Sequence, residues 1–260
     1  MVYYFDLSPV IFSIGPFSLR YYGLFYAIGV FLVYLALYFA AKYKLVRNIT
    51  EKNYDDVFLW IVVGCILGAR LGHILFFEPV YYFSHPLEMF AVWHGGMSFH
   101  GAIIGMGISF YFLCKKYKIK FLDLADLIVI PAAFGLCLGR IGNFMNGELI
   151  GTKTSMNLCV QYSGVDGCRH FSQFYESAKN LFIGIVLLFM YKSKKLKSGV
   201  VFFSFIFLYG ILRFLLNFYR DDIRYFGLST GQYLCIVMVV ISSIWFIKNR
   251  QHCLKSSHQP

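Results

Sequence analysis

The chain has 260 residues, of which 58% are hydrophobic and only 14% charged, with a net charge of +11. A soluble domain could not expose that much apolar surface and stay dispersed. The basic residues fall in short clusters between apolar runs rather than along one soluble stripe, so they point to a lipid bilayer and not to nucleic acid.

In chain order, residues 1–18 lack a basic n-region, and the first long apolar run is followed by Lys42, Lys44 and Arg47 rather than a small-residue cleavage site. No cleavable signal peptide is expected. About 20 apolar residues cross the hydrocarbon layer, and seven segments qualify: 19–41, 57–77, 96–114, 122–142, 173–191, 199–219 and 228–247. The fifth is the weakest, because its strongly apolar part is only Leu181–Tyr191. The polar segment 143–172 reads as a small head or lid. The expected fold is therefore an all-α polytopic membrane protein with seven transmembrane helices and a small extracytoplasmic head. It forms a single membrane-embedded domain over 1–260: an arm at 1–18, spans one to four within 19–142, the head at 143–172, spans five to seven within 173–247 and a tail at 248–260.

Orientation follows from the loops. Lys42, Lys44, Arg47 and Lys52 follow span one; Lys115, Lys116, Lys118 and Lys120 follow span three. Lys192, Lys194, Lys195 and Lys197 follow span five, and Lys248, Arg250 and Lys255 follow span seven. The opposite loops hold only Arg20, Lys153, Arg169, Lys179, Arg220 and Arg224. Cytoplasmic loops are the basic ones, so the N-terminus is expected outside and the C-terminus inside. Cys159 and Cys168 share one polar loop and could pair if that loop faces an oxidising compartment. Gly64, Gly68 and Gly72, Gly101 with Gly105, and Gly135 with Gly139 have the four-residue spacing of close helix packing.

Three arginines remain inside spans: Arg70, Arg140 and Arg213. Each charge near mid-membrane costs about 2.5–3.5 kcal/mol even on a lenient scale. With this orientation all three lie in the outward halves of their helices, level with Tyr22, Tyr26, Ser98 and His100. Guanidinium groups gathered at one depth suit a lipid phosphate. Arg140 and Asn143 are three apart, with Glu148 following in GRIGNFMNGELIG; Tyr209, Arg213 and Asn217 form one stripe at four and eight residues.

These residues carry a family resemblance. The segments IFSIGPFSLRYYGLFY at 11–26, GARLGHILFF at 68–77 and WHGGMSFHGAIIG at 93–105 resemble the bacterial phosphatidylglycerol–prolipoprotein diacylglyceryl transferases. So do GRIGNFMNGELIG at 139–151, RHFSQFYE at 169–176 and YGILRFLLNFYR at 209–220, in the same order over nearly the whole chain. The resemblance implies a seven-span enzyme of the bacterial inner membrane. Such an enzyme moves the diacylglyceryl group of phosphatidylglycerol to the lipobox cysteine thiol of a preprolipoprotein signal peptide, releasing glycerol phosphate. Carried over by position, it implies roles for Tyr22, His100, Arg140, Asn143, Glu148, Gly151, Tyr209 and Arg213. Three departures stand out. Asn217 replaces a usual Glu, Phe171 a usual Pro, and His94 stands where an Asp is familiar.

His100 is the candidate base, since its pKa range lies near operating pH. Arg140 and Arg213 are expected to bind the phosphodiester and to stabilise the leaving phosphate, with Tyr209 beside them in the catalytic group. Asn143, Glu148, Gly151, Tyr22, Tyr26 and Asn217 are expected to line the substrate site. Arg70 is assigned to structure or a second lipid. No metal-ligand or cofactor pattern is evident, so the reaction is expected to need neither. The competing reading is a transporter or flippase for an anionic lipid. That would want polar groups along a path to the cytoplasmic side, where the helices are almost wholly apolar.

Overall fold

Each of the seven apolar runs becomes a helix, with ends within three residues of those expected from the sequence. In the computed structural model, which describes residues 2–15, 17–91, 95–193 and 196–250, these are α1 (Tyr21–Lys42), α2 (Tyr54–Phe76), α4 (Phe99–Tyr117), α5 (Phe121–Met145), α6 (Ser172–Lys192), α7 (Val200–Leu216) and α8 (Thr230–Lys248). A short α3 (Pro79–Ser84) and one-turn 3₁₀ segments at Pro86–Phe90 and Asn217–Tyr219 join them. His94, Lys194, Lys195 and Lys255, named above, lie outside the described residues.

Six of these helices are long and apolar enough to cross a membrane: α1, α2, α5, α6, α7 with its 3₁₀ extension, and α8. The third expected span, α4, is 19 residues long but is not among the six. His100 at its start and Lys115 and Lys116 at its end are drawn into the helix and dilute its apolar stretch.

The chain is not helical throughout. Short strands β1 (Val2–Tyr4), β2 (Val10–Ile14), β3 (Phe17–Arg20), β4 (Cys159–Gln161), β5 (Arg224–Tyr225) and β6 (Leu228–Ser229) pair as β1 parallel to β4, β2 antiparallel to β3 and β5 antiparallel to β6. The N-terminal arm thus folds into strands, because its backbone groups find partners in β4 and in its own hairpin.

The chain divides into two compact units: Tyr34–Leu124, and Met1–Val33 together with Ala125–Pro260. In the first, the glycine rows of α2 and α4 face one another. A Cβ on Gly72 would lie 2.6 Å from the Gly101 Cα, and one on Gly68 would lie 2.6 Å from the Gly105 Cα. No larger side chain fits this contact, which replaces the hydrophobic drive that lipid cannot supply. Here too the Ser109 hydroxyl donates to the Trp60 carbonyl at 2.5 Å.

In the second unit, α1 meets α5 through Gly29 and Gly135, whose Cα lies 3.1 Å from a Cβ built on Gly29. Val129, Ile130, Ala133, Ile183, Leu187 and Val201 form the core between α5, α6 and α7. Asp126, buried on α5, accepts the Gly199 and Phe202 N–H groups at 2.6 and 2.7 Å. It thereby satisfies orphan donors at the start of α7, where a carboxylate also favours the helix dipole.

The polar 143–172 segment has its own small core. Phe144, Val160 and Tyr162 are buried with Phe5, Leu7 and Phe171 around them. Cys159 and Cys168 form a disulfide.

Candidate active site

The second unit gathers three cations around one carboxylate. Glu176 on α6 has a side chain only 2% exposed. The Lys179 ammonium donates to its Oε2 at 2.9 Å, and the Arg140 Nε, from α5, lies 3.8 Å from that same oxygen. Arg213, from α7, pairs with Oε1. Lys179 also sits 3.8 Å from the centre of the Tyr209 ring, a cation–π contact. Removing Glu176 would leave three cations without their shared carboxylate, a cost of about 3–5 kcal/mol.

Around this centre runs a layer of hydrogen-bonded amides and phenols with one further carboxylate, Glu148. Arg140 Nη1 approaches Asn143 Oδ1 at 3.4 Å, and Asn143 Nδ2 donates to Glu148 Oε2 at 3.0 Å. Asn146 donates to the other Glu148 oxygen at 3.1 Å. The Tyr22 hydroxyl, beside Asn143 and Glu148, donates to the Tyr26 hydroxyl at 3.1 Å. Tyr22 fits there because position 142 is glycine: a Cβ would meet the Tyr22 Cδ2 at 3.0 Å.

The turn after α5 is held under tension. Leu149 has φ 56°, in the left-handed region that side chains other than glycine rarely adopt. The start of α6 fixes it: Ser172 Oγ donates to the Leu149 carbonyl at 2.8 Å and Gln173 Nε2 to the Glu148 carbonyl at 2.6 Å. Such strain persists only where neighbours over-determine it, and it concentrates at functional sites. Gln173 also donates to the Tyr162 hydroxyl at 3.1 Å, and burial raises the pKa of that phenol. Gly151 pairs with Arg220 as an isolated bridge, and a side chain there would collide with the His170 carbonyl. Its role in the fold is close backbone approach.

Asn217 is wholly buried and donates to the Ser229 hydroxyl at 2.6 Å. Ser229 is the N-cap of α8, in a capping box with Gln232. Asn217 therefore ties the end of α7 to the start of α8, and its Oδ1 has no hydrogen-bond partner among the described residues.

Residues 9–248 match the prolipoprotein diacylglyceryl transferase family. The chain belongs to that family. It is 40% identical over 247 residues to a phosphatidylglycerol–prolipoprotein diacylglyceryl transferase of Ehrlichia ruminantium strain Welgevonden, covering 91% of this chain and 94% of that protein. It is 39% identical to the enzyme of that name from Geobacter sulfurreducens, covering 87% of each. With the Bordetella avium enzyme of that name it shares 36% identity over the full length of both.

Within this family member the expected residues separate by unit. Tyr22, Tyr26, Arg140, Asn143, Glu148, Gly151, Tyr209, Arg213 and Asn217 belong to the second unit, where Arg140 and Arg213 meet at Glu176. His100 belongs to the Tyr34–Leu124 unit, exposed one residue into α4, whose N-cap Ser98 accepts the Gly101 N–H at 3.2 Å.

Arg70, also in the Tyr34–Leu124 unit, does not act as a free cation. Its Nε donates to the Met89 carbonyl at 3.0 Å, and Nη1 donates to those of Gly95 and Gly96 at 2.6 and 3.1 Å. Nη2 donates to the Glu88 and Ala91 carbonyls, and the guanidinium lies 4.8 Å from the Tyr82 ring centre. A guanidinium has five N–H donors, and all are engaged. Of the two roles assigned to it, structure is the one its geometry fits.

Sequence reasoning missed the centre of the cluster. Lys179 was counted among loop cations, yet it lies inside α6 and is 5% exposed. Glu176 and Asn180 were not singled out. A signal was present: Gln173, Glu176, Ser177 and Asn180 have the i, i+3, i+4, i+7 spacing of one helical face, and all are buried.

Proposed function

We propose that this chain transfers the diacylglyceryl group of phosphatidylglycerol to the lipobox cysteine of preprolipoproteins, the first step of bacterial lipoprotein maturation. The observation that carries the reading is the convergence of Arg140 and Arg213 on buried Glu176, within a chain of this family. Guanidinium forks bind phosphate oxygens bidentately. In this reading they would hold the phosphate on which charge develops as the reaction proceeds.

In this proposal the cysteine sulfur attacks the glyceryl carbon next to the phosphate oxygen. A C–S bond forms and the C–O bond breaks, with its electron pair staying on the phosphate. The thiol proton passes to a base, for which His100 is the candidate. The diester monoanion thus becomes a monoester dianion, and cations that hold it more tightly than the diester lower the barrier. The nucleophile arrives on the substrate, so no Ser-His-Asp constellation is required of the protein. Asn143, Tyr209, Tyr22 and Tyr26 would contact glycerol and phosphate oxygens, with Glu148, Gly151 and Asn217 completing the substrate site.

The proposal includes seven spans, with α4 as the third, in one catalytic domain of the bacterial inner membrane. The N-terminus is periplasmic, the C-terminus cytoplasmic, and 143–172 forms a head over the site. Support comes from the basic clusters after alternate spans and from the Cys159–Cys168 disulfide, a bond of oxidising compartments. The phospholipid and the signal-peptide helix would both enter laterally from the bilayer. The transporter reading is set aside, because the relatives carry transferase names.

The test is reconstitution of purified protein with labelled phosphatidylglycerol and a lipobox peptide. The expected result is a thioether product, lost in Arg140→Ala and strongly reduced in His100→Ala. No product from the unmodified chain would end the transferase reading; full activity in Arg140→Ala would end the mechanism.

A further inference from the structure

The charge count around Glu176 does not close. Arg140, Lys179 and Arg213 bring three positive charges to one carboxylate, leaving two in excess. Among the described residues, Glu176 is the one carboxylate ion-paired with these three cations. Asp222 accepts from Arg220 at 2.9 Å, and Glu148 accepts from Asn143 and Asn146. Lys179 uses one donor on Glu176 and turns toward the Tyr209 ring, so its three-donor ammonium is not saturated by the contacts described. Asn180, the next residue and one turn from Glu176, is 1% exposed, and neither its Nδ2 nor its Oδ1 has a partner among the described residues. Buried polar groups are rarely left without a hydrogen-bond partner, whether protein, water or ligand.

We infer that Lys179 is the third phosphate-binding cation of this site, with the Asn180 amide beside it, and that it selects the doubly charged phosphate monoester over the singly charged diester. The inference rests on the transferase reading for the identity of the leaving group. An excess of two positive charges matches a monoester dianion and over-matches a diester. Lys179 would then act mainly after the C–O bond has begun to break.

The experiment reads binding rather than turnover, so it is decided separately from transfer. Full-length protein in detergent is titrated with glycerol phosphate, a monoester whose second pKa is about 6, and with glycerophosphoglycerol, a diester. Thermal shift and calorimetry follow both. The unmodified protein is expected to bind the monoester at least about 10-fold more tightly. Lys179→Met should erase that preference, with diester affinity changing by less than about 3-fold, and Lys179→Arg should keep it. Equal weakening of both ligands in Lys179→Met would assign Lys179 to general support of Glu176 and overturn the inference. So would unchanged binding of both. Should Lys179→Met fail to fold, the unmodified protein still decides: no preference for the monoester overturns the proposal. Loss of transfer with the preference intact would instead count against the transferase reading alone.

Discussion

Arg70 and Arg213 are buried and Arg140 is half-buried, and these guanidinium groups solve the same problem in different ways. Arg70 directs every donor to a backbone carbonyl between Glu88 and Gly96, so it pins a loop and has nothing left to bind. Arg140 and Arg213 instead share one side-chain carboxylate with Lys179, and Arg140 Nε and Arg213 Nη1 lack a well-formed hydrogen bond. The lesson concerns satisfaction rather than charge. A buried cation whose donors are all matched serves the fold; one held by a shared, outnumbered carboxylate is available to a ligand.

Four measurements would break or sharpen that contrast. The largest effect is expected at the shared cluster. Arg140→Lys and Arg213→Lys keep the charge but lose the planar fork, and transfer should fall about 10²–10³-fold while the melting temperature moves little. Near-normal turnover in both would remove the distinction. At the other site the outcome should invert. Arg70→Lys cannot reach five carbonyls and should destabilise the protein by about 3 kcal/mol or more, seen as a lower melting temperature in detergent. Activity per folded molecule should stay within about threefold.

Next comes the disulfide. Cys159 and Cys168 are nine residues apart, so replacing both by Ser should cost about 2–3 kcal/mol in stability of the polar segment, followed by hydrogen exchange at β4. The smallest effect is expected at the exposed Lys153–Asp166 pair, whose charges are screened by water. Lys153 donates to Asp166 and holds its carboxyl below the usual range. A lowered carboxylate pKa contributes stability above the ordinary value, about 3.9, and loses it as pH falls through the lowered one. Melting curves from pH 6 down to 3 should therefore show a small acid-dependent loss that Asp166→Asn abolishes.

The helices were legible in the sequence because an apolar run is a local signal. Each expected span overlies a helix, including α6, where the strongly apolar part was short. Its weakness had a physical source. Gln173, Glu176, Lys179 and Asn180 dilute the hydropathy of α6 and at the same time build the cluster. Averaged hydropathy hides the helical period that would have revealed them. The pairing of Arg140 with Arg213 was legible from depth and spacing, whereas their meeting point was not, since it depends on the packing of α5, α6 and α7. Which of the two roles expected of Arg70 it fills was not legible, for a related reason. Its partners are backbone carbonyls, which every residue carries and no sequence pattern marks.

One feature of the arm bears on how the protein is made. β1 covers residues 2–4 and pairs in parallel with β4 at 159–161. This strand leaves the ribosome well before its mate, about 150 residues behind it, and closing so long a loop is entropically slow. The ribbon that joins the two ends of this sequence distance should be among the last parts to set during biosynthesis. Bulk attached beside residues 2–4 would hang directly from that seam and should slow its closure.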